Sequence, residues 1–496
     1  MNRPFARDLT AGLIGRRGVL AAMPAMLAAP VLAETPSDFP VERYGASGDG
    51  RRDDTAAIQR AIDACAKHGG GTVRLAAGGR YLCATIILKD FVTLDIAGGA
   101  TLVASTNRAA YRDKGALIFA EGARGVSVTG RGTIDGQGTD KAWFPTLVEG
   151  SYPVPDAFLG YWNPLDEFPG AYAENGRPRI ILLVGCRNVR LADIRIQDAP
   201  TWTIHPVGCE DVLIEGLTID NNLLVPNCDG IDIDRCRRVR ITGCAIRAGD
   251  DCLIVKSSRN FVKFGDCEEI AITNCTLESS SAGFKIEPEG PGTLRNIAIS
   301  NCTVSRSNRG IAVFQRDGAT IEDLLFSNLT ITTQRHHPMW WGAGEAVNLT
   351  NLPRRRSMAP GIVRGVRFDN LLCRGEGGLY VRGWPGSTTR DITFRGVRIA
   401  IEKTSRYPAD TYDIRPTELM EGLYKSRIAA VYLQDAADVT LDDVSVEWAP
   451  DLPPTFGAAL EAQRVDGLAL KGFRGVAAQA GMPGRHIEHT RLMSFS

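Results

Sequence analysis

The sequence predicts an all-β fold, a parallel β-solenoid in which the chain winds one coil per repeat. Two observations carry that reading. A unit recurs nine times, as "RNVRLADIRIQD", "EDVLIEGLTIDN", "RRVRITGCAIRA", "EEIAITNCTLES", "RNIAISNCTVSR", "EDLLFSNLTITT", "RGVRFDNLLCRG", "RDITFRGVRIAI" and "ADVTLDDVSVEW", and self-similarity of this kind marks stacked repeats. Each unit also alternates apolar and polar residues, turns at Asn, Asp or Gly, and alternates again, with no helical period between units. A β-sandwich also uses short strands, but its strands do not repeat a sequence unit.

The elements follow in chain order. Arg16 and Arg17 precede "GVLAAMPAMLAAPVLA", a small-residue apolar run too short to span a bilayer. Residues 1–33 are therefore expected to be a twin-arginine-type export signal, cleaved after Ala33 and handled by the Tat translocase, which makes the mature protein periplasmic or secreted. Residues 34–102 should form an N-terminal cap and the first coils. Within them Asp54 or Thr55 starts a helix whose apolar stripe is Ala56, Ile58, Ala61, Ile62 and Cys65, ended by Gly69. Such a helix suits the open end of a solenoid, and "GDGRRDD" before it fits turn and cap chemistry better than a metal site.

Residues 103–496 should hold the remaining coils, in one structural domain running from residue 34. The central apolar residues of the repeats are Val189, Val212, Val239, Ile270, Ile297, Leu324, Val366, Ile392 and Val439. Most are 23 to 31 residues apart; intervals of 42 and 47 mark insertions near 332–362 and 401–428. Successive coils stack about 4.8 Å apart, so residues one coil apart are neighbours.

Composition excludes more than it assigns. Lys+Arg and Asp+Glu balance at 57 each, giving no general attraction to nucleic acid or anionic membranes. No stretch is long and apolar enough for a membrane helix. Cys244, Cys275 and Cys302 recur at one repeat position, as a column of small buried side chains rather than disulfides would. No Cys/His cluster has zinc spacing, so neither a metal nor another cofactor is expected, and the chain should be a monomer. The sequons at Asn274, Asn301, Asn328 and Asn348 fall at repeat positions.

The chemistry concentrates in "NCDGIDIDRCRRVRITGCAIRAGDDCLIVKSS", Asn227 to Ser258. Alignment of the coils stacks Asp229, Asp251, Ala282 and Arg309 in one column, with Asp250 beside Asp251. Strand alternation then points Ile231, Leu253, Phe284 and Ile311 inward, with Ile233, Val255, Ile286 and Val313. The outward columns are Asp232, Ile254, Lys285, Ala312 and Asp234, Lys256, Glu287, Phe314. Crowded carboxylates repel, so one should hold a proton near neutrality while another stays ionised. That division of labour suits glycosidic cleavage, an acid for the leaving oxygen and a base for water. Aspartates that merely satisfy turn amides are the competing explanation.

These residues resemble glycoside hydrolase family 28, the polygalacturonases, in "NCDG" and "GDDC", and further in "YGASGDGRRDDTAAIQRAID", "GTIDGQG" and "APTWTIHPVGCEDVLIEGLTI". The resemblance implies a right-handed parallel β-helix, Asp250 as general acid, Asp229 and Asp251 activating water, and inversion, with Asn227 holding the carboxylates. Adjacent coils suggest about 5 Å between carboxyl groups, nearer the retaining separation than the 6.5–9.5 Å of inverting enzymes. Two family motifs are replaced. Ala282 stands where Gly-His-Gly has histidine, and Ala312 and Phe314 stand where Arg-Ile-Lys has its cations. Lys285 and Arg309 are then the candidates to meet a sugar carboxylate, with a salt ladder from Lys285 to Asp232 as the alternative.

The first insertion brings Trp340 and Trp341, which either stack on sugar rings or anchor the loop. The second, "RYPADTYDIRPTELMEGLYKSR", is expected to wall the other side, favouring chain ends or short oligosaccharides. The substrate expected is an acidic plant polysaccharide or oligosaccharide of pectin type. A polysaccharide lyase on the same fold and a non-catalytic carbohydrate-binding β-helix stay open.

Overall fold

The computed structural model describes residues 37–139, 143, 177–336 and 340–493; the expected export signal lies outside them. Each coil of the central region uses three strands, for example Ile231–Asp234, Arg237–Thr242 and Ala245–Ala248. Each pairs in parallel with its counterpart one coil on, at Leu253–Lys256, Cys267–Thr273 and Thr276–Ser279. Nearly every strand joins this one continuous sheet, which is a parallel β-helix. Later coils fuse the second and third strands into runs of 14 residues, Thr320–Thr333, Ile362–Gly375 and Thr388–Ile401.

The register follows the repeat. Val189, Val212, Val239, Ile270, Ile297, Leu324, Val366, Ile392 and Val439 are successive cross-coil partners. The interior is one apolar column running from Phe39 to Phe473. Within it Phe326, Phe368 and Phe394 stack with ring centroids 5.1 and 4.6 Å apart, as identical residues in register must when a coil adds one strand spacing.

The turns explain the repeat-position asparagines. Asn274, Asn301, Asn328 and Asn370 all take φ of 55–56°, a left-handed turn that Asn tolerates. Their amides also chain along the helix, Asn328 donating to Asn301 at 3.2 Å and Asn370 to Asn328 at 2.8 Å. Asn348 is not in this ladder; it lies on the strand Glu345–Asn351 and donates to Glu345. All 12 cysteines are buried and free, and the amide of Cys275 donates to the Cys302 sulfur at 3.3 Å.

The helix spans Thr55–His68, ends at a left-handed Gly69, and packs on the strands Asp38–Pro40 and Gly71–Leu75. Two details differ from the sequence reading. Ala57 rather than Ala56 faces inward. The Asp54 side chain does not cap the helix but accepts the amides of Ser47 and Gly48, while Asp53 takes the Thr55 amide. Among the described residues no helix is long and apolar enough to cross a membrane.

Candidate active site

The strand Ile231–Asp234 pairs with Leu253–Lys256 so that Ile231 meets Leu253, a shift of 22 residues that brings Asp229 level with Asp251. The amide of Gly230 donates to the Asp251 carbonyl at 2.9 Å. Both flanking glycines are required by space. A Cβ on Gly230 would sit 2.3 Å from the Cys252 carbonyl oxygen, and one on Gly249 would sit 2.3 Å from that of Val225. The Asp-Gly and Gly-Asp pairs thus let backbones pass close enough for their neighbours to converge. One carboxylate oxygen from each of Asp229, Asp250 and Asp251 lies within 4.8 Å of the others.

The three differ in surroundings. Asp251 faces donors: Ser281 Oγ at 2.8 Å, the Ala282 amide at 3.1 Å and Lys285 Nζ at 2.8 Å. Asp250 is half-buried; desolvation and the Asp251 charge push its pKa up to about 7, against the pull of Lys285, Ser281 and the Asn227 backbone amide. Asp229 is buried with Oδ1 lacking a hydrogen-bond partner, and burial followed by Asp232, Asp250 and Asp251 drives its pKa well above the usual carboxylate range. Among the described residues these three form the acidic group compact enough to hold a cation, and Lys285 already supplies positive charge there. Nothing beyond the acidity argues for a metal.

The outward columns are where the repeat puts them, yet they are covered. Asp232, Asp234, Lys256, Lys285 and Glu287 are all buried. Lys285 does not pair with Asp232: its second partner is Glu287, at 2.8 Å. The cation near Asp232 is Lys256, at 3.6 Å, which also approaches Glu289 at 3.2 Å and lies 3.8 Å over the Trp202 ring. Neither Asp232 oxygen has a hydrogen-bond partner, and burial lifts its pKa to about 8 although Lys256 and Arg179 pull it down. His205, pushed down to about 3 by burial, is neutral and stands 3.3 Å from Asp234. Burial opposes ionisation of Asp234, but the His205 hydrogen bond, the Lys256 charge and a hydrogen bond from Ser258 hold it below the usual range.

Other expected contacts resolve differently. The Asn227 side chain faces Arg177 at 3.5 Å, so it is the Asn227 backbone, not its amide group, that serves Asp250. Arg309 is buried, 3.3 Å from Glu345 and donating to the Asp413 carbonyl at 2.7 Å; its guanidinium is committed inside the protein. Ala282, Ala312 and Phe314 pack as an apolar cluster of their own, with Arg309 and Arg316 against the Phe314 ring.

Trp340 is buried and its carbonyl is bound by Arg415. Trp341 is half-buried, its ring 5.4 Å from Lys285 Nζ. The two insertions do not form opposite walls. The hairpin Thr411–Asp413 with Leu423–Lys425 locks onto the first insertion through Gly342 to Asp413, Thr417 to Pro353 and Glu418 to Arg354.

Sequence reasoning missed Trp202, His205, Ser281, Glu289 and Arg354. Trp202 and His205 sit in "APTWTIHPVG", which entered only through its resemblance. Glu287 was placed in a column without a partner, although its position two residues from Lys285 on a strand puts both on one face.

The family model of glycosyl hydrolases family 28 matches residues 80–340. A probable polygalacturonase from Vitis vinifera is 31% identical over 234 residues, which are 43% of this chain and 43% of that protein. A polygalacturonase from Malus domestica is 28% identical, over 46% of this chain and 45% of that protein. The chain spans about half the length of the curated relatives it matches. Among solved structures, an exopolygalacturonase from Thermotoga maritima aligns with a TM-score of 0.63 at 22% identity, covering 83% of this chain and 91% of that one. At this identity the structural likeness speaks for the fold alone.

Proposed function

The chain belongs to glycosyl hydrolases family 28, and from that premise we propose that it is an exported glycosidase hydrolysing O-glycosidic bonds in pectin-type polysaccharides or oligosaccharides. The observation that carries the reading is the convergence of Asp229, Asp250 and Asp251 within 4.8 Å, in three unlike environments. Asp250, with its pKa near 7, protonates the leaving oxygen; a catalytic acid works best when its pKa lies near the operating pH. Asp251, facing only donors among its hydrogen-bond partners, accepts the proton of the attacking water. Asp229, its pKa raised by burial and its acidic neighbours, keeps a proton and so limits the negative charge of the trio.

Inversion is the outcome carried over from the family. The short carboxylate separation favours double displacement with retention as the second reading. Proton NMR of the first-formed anomer distinguishes them. The apolar cluster at Ala282, Ala312 and Phe314 means that this chain reads its acidic sugar with groups other than the family's usual cations.

The test is a screen of pectic oligosaccharides, rhamnogalacturonan included, with wild type and Asp250→Asn. Wild type should release reducing ends with no product absorbing in the ultraviolet, as a lyase would give, and the variant should lose about 10²–10⁴-fold in kcat. Full activity in Asp250→Asn on every substrate the parent cleaves would sink the assignment. Export is tested separately: Arg16→Lys with Arg17→Lys should leave the protein in the cytoplasm of a bacterial host.

A further inference from the structure

Lys285 touches the catalytic trio from the next coil, and its contacts run the wrong way for a residue waiting to bind substrate. Its ammonium is buried between Asp251 and Glu287, 2.8 Å from each. Glu287 is held in turn by Arg354 at 3.1 Å, and Arg354 by Asp317 at 3.1 Å. The series alternates in sign from the trio outward: Asp251, Lys285, Glu287, Arg354, Asp317. Its outer members lie beyond the trio, Arg354 in the first insertion, where it also accepts the Glu418 amide of the second.

We propose that Lys285 is a positioning residue of the hydrolytic site: it fixes Asp251 as a hydrogen-bond acceptor and ties that carboxylate, through Glu287 and Arg354, to the interlocked insertions. The proposal rests on the hydrolytic reading above and assigns Lys285 a role toward the carboxylates in place of one toward the sugar. Its physical basis is that a buried ammonium with two carboxylates at hydrogen-bond distance is spent on them. The half-buried Trp341 ring and the Phe314 ring also lie near the ammonium, 5.4 and 5.8 Å away.

The groups that set the local charge are few. Asp232 acts on the trio from the strand that follows Asp229, and Lys256 from the strand that follows Asp251. Lys285 and Glu287 face it from the following strand, with Arg354 and Arg316 acting on Glu287 from beyond. Lys285 pulls the Asp250 pKa down, so removing it must move the titration of Asp250 upward.

The test compares wild type, Lys285→Met and the charge-balanced Lys285→Gln/Glu287→Gln double variant by carbon NMR titration of aspartate-labelled protein and by the pH dependence of kcat/KM. In either variant Asp250 should titrate higher by about one unit or more, the acidic limb of the pH profile should move up with it, and kcat near pH 6 should fall by about 10²-fold. The Lys285→Arg variant should recover most of the titration shift. Unchanged carboxyl titration and an unchanged acidic limb in a folded variant would overturn the proposal, as would a loss confined to KM, which marks a substrate contact. Should the parent cleave no pectic substrate, the functional reading fails while the NMR titration still decides the role of Lys285.

Discussion

The two sides of the strands that carry the site are both buried and share one register, yet they follow opposite rules. Inward, Ile231, Leu253, Phe284 and Ile311 stack as a continuous apolar column. Outward, one residue along, the same strands set Asp232, Ile254, Lys285 and Ala312 under cover, with charges that pair across coils or find no hydrogen bond at all. The inner column is favourable at every pH. The outer one is costly, since buried charges are expensive unless well paired. Burial on the inside reports folding, whereas on the outside it encloses charged groups beside the aspartate trio.

Three substitutions sharpen that contrast, from the largest effect to the smallest. Phe284→Ala empties the inner column and should cost about 3–5 kcal/mol of unfolding free energy, read by chemical denaturation, with the pH profile of activity unchanged in whatever protein folds. Asp232→Asn acts on the outer column. The folded-state pKa of Asp232 is raised to about 8, so the folded protein holds a proton that the unfolded chain releases above about pH 4. Stability from this group is therefore full at low pH and lost as pH rises from about 4 through 8. The variant should lose less stability than wild type over that window, by on the order of 1–3 kcal/mol; denaturation midpoints at pH 5 and 8 would show it. A parallel fall in both proteins would break the comparison. Asn301→Ala touches neither column. It removes one rung of the turn ladder at a left-handed position and should cost about 1 kcal/mol, with Asn301→Gly recovering part of it.

Legibility in the sequence divides along the same line. The repeat made the inner register readable because a strand's period of two leaves little freedom once one apolar residue is placed. The observed pairings join the members assigned to both inward columns and to the outward column from Asp232 to Ala312. What the repeat could not convey is what covers the outer columns or how their charges pair. Lys256, not Lys285, approaches Asp232, and Lys285 turns to Glu287 within its own strand. Arg309 was readable as a column member but not as the partner of Glu345 and Asp413, since Asp413 lies in a distant insertion. Cover and pairing come from Trp202, Arg354 and the hairpin near residue 413, segments that have no period.

The locking of the two insertions bears on how the proposed enzyme can be remade. The coils fix where the aspartates meet, and the insertions lie on coils that come later in the chain. New selectivity can therefore be sought in the insertions while the aspartate trio keeps its register. They are not, however, separate parts. Replacing the 401–428 segment alone would strip Arg309 and Gly342 of Asp413, leaving a buried guanidinium and an amide without that acceptor. The exchangeable unit is the pair, inherited or grafted together.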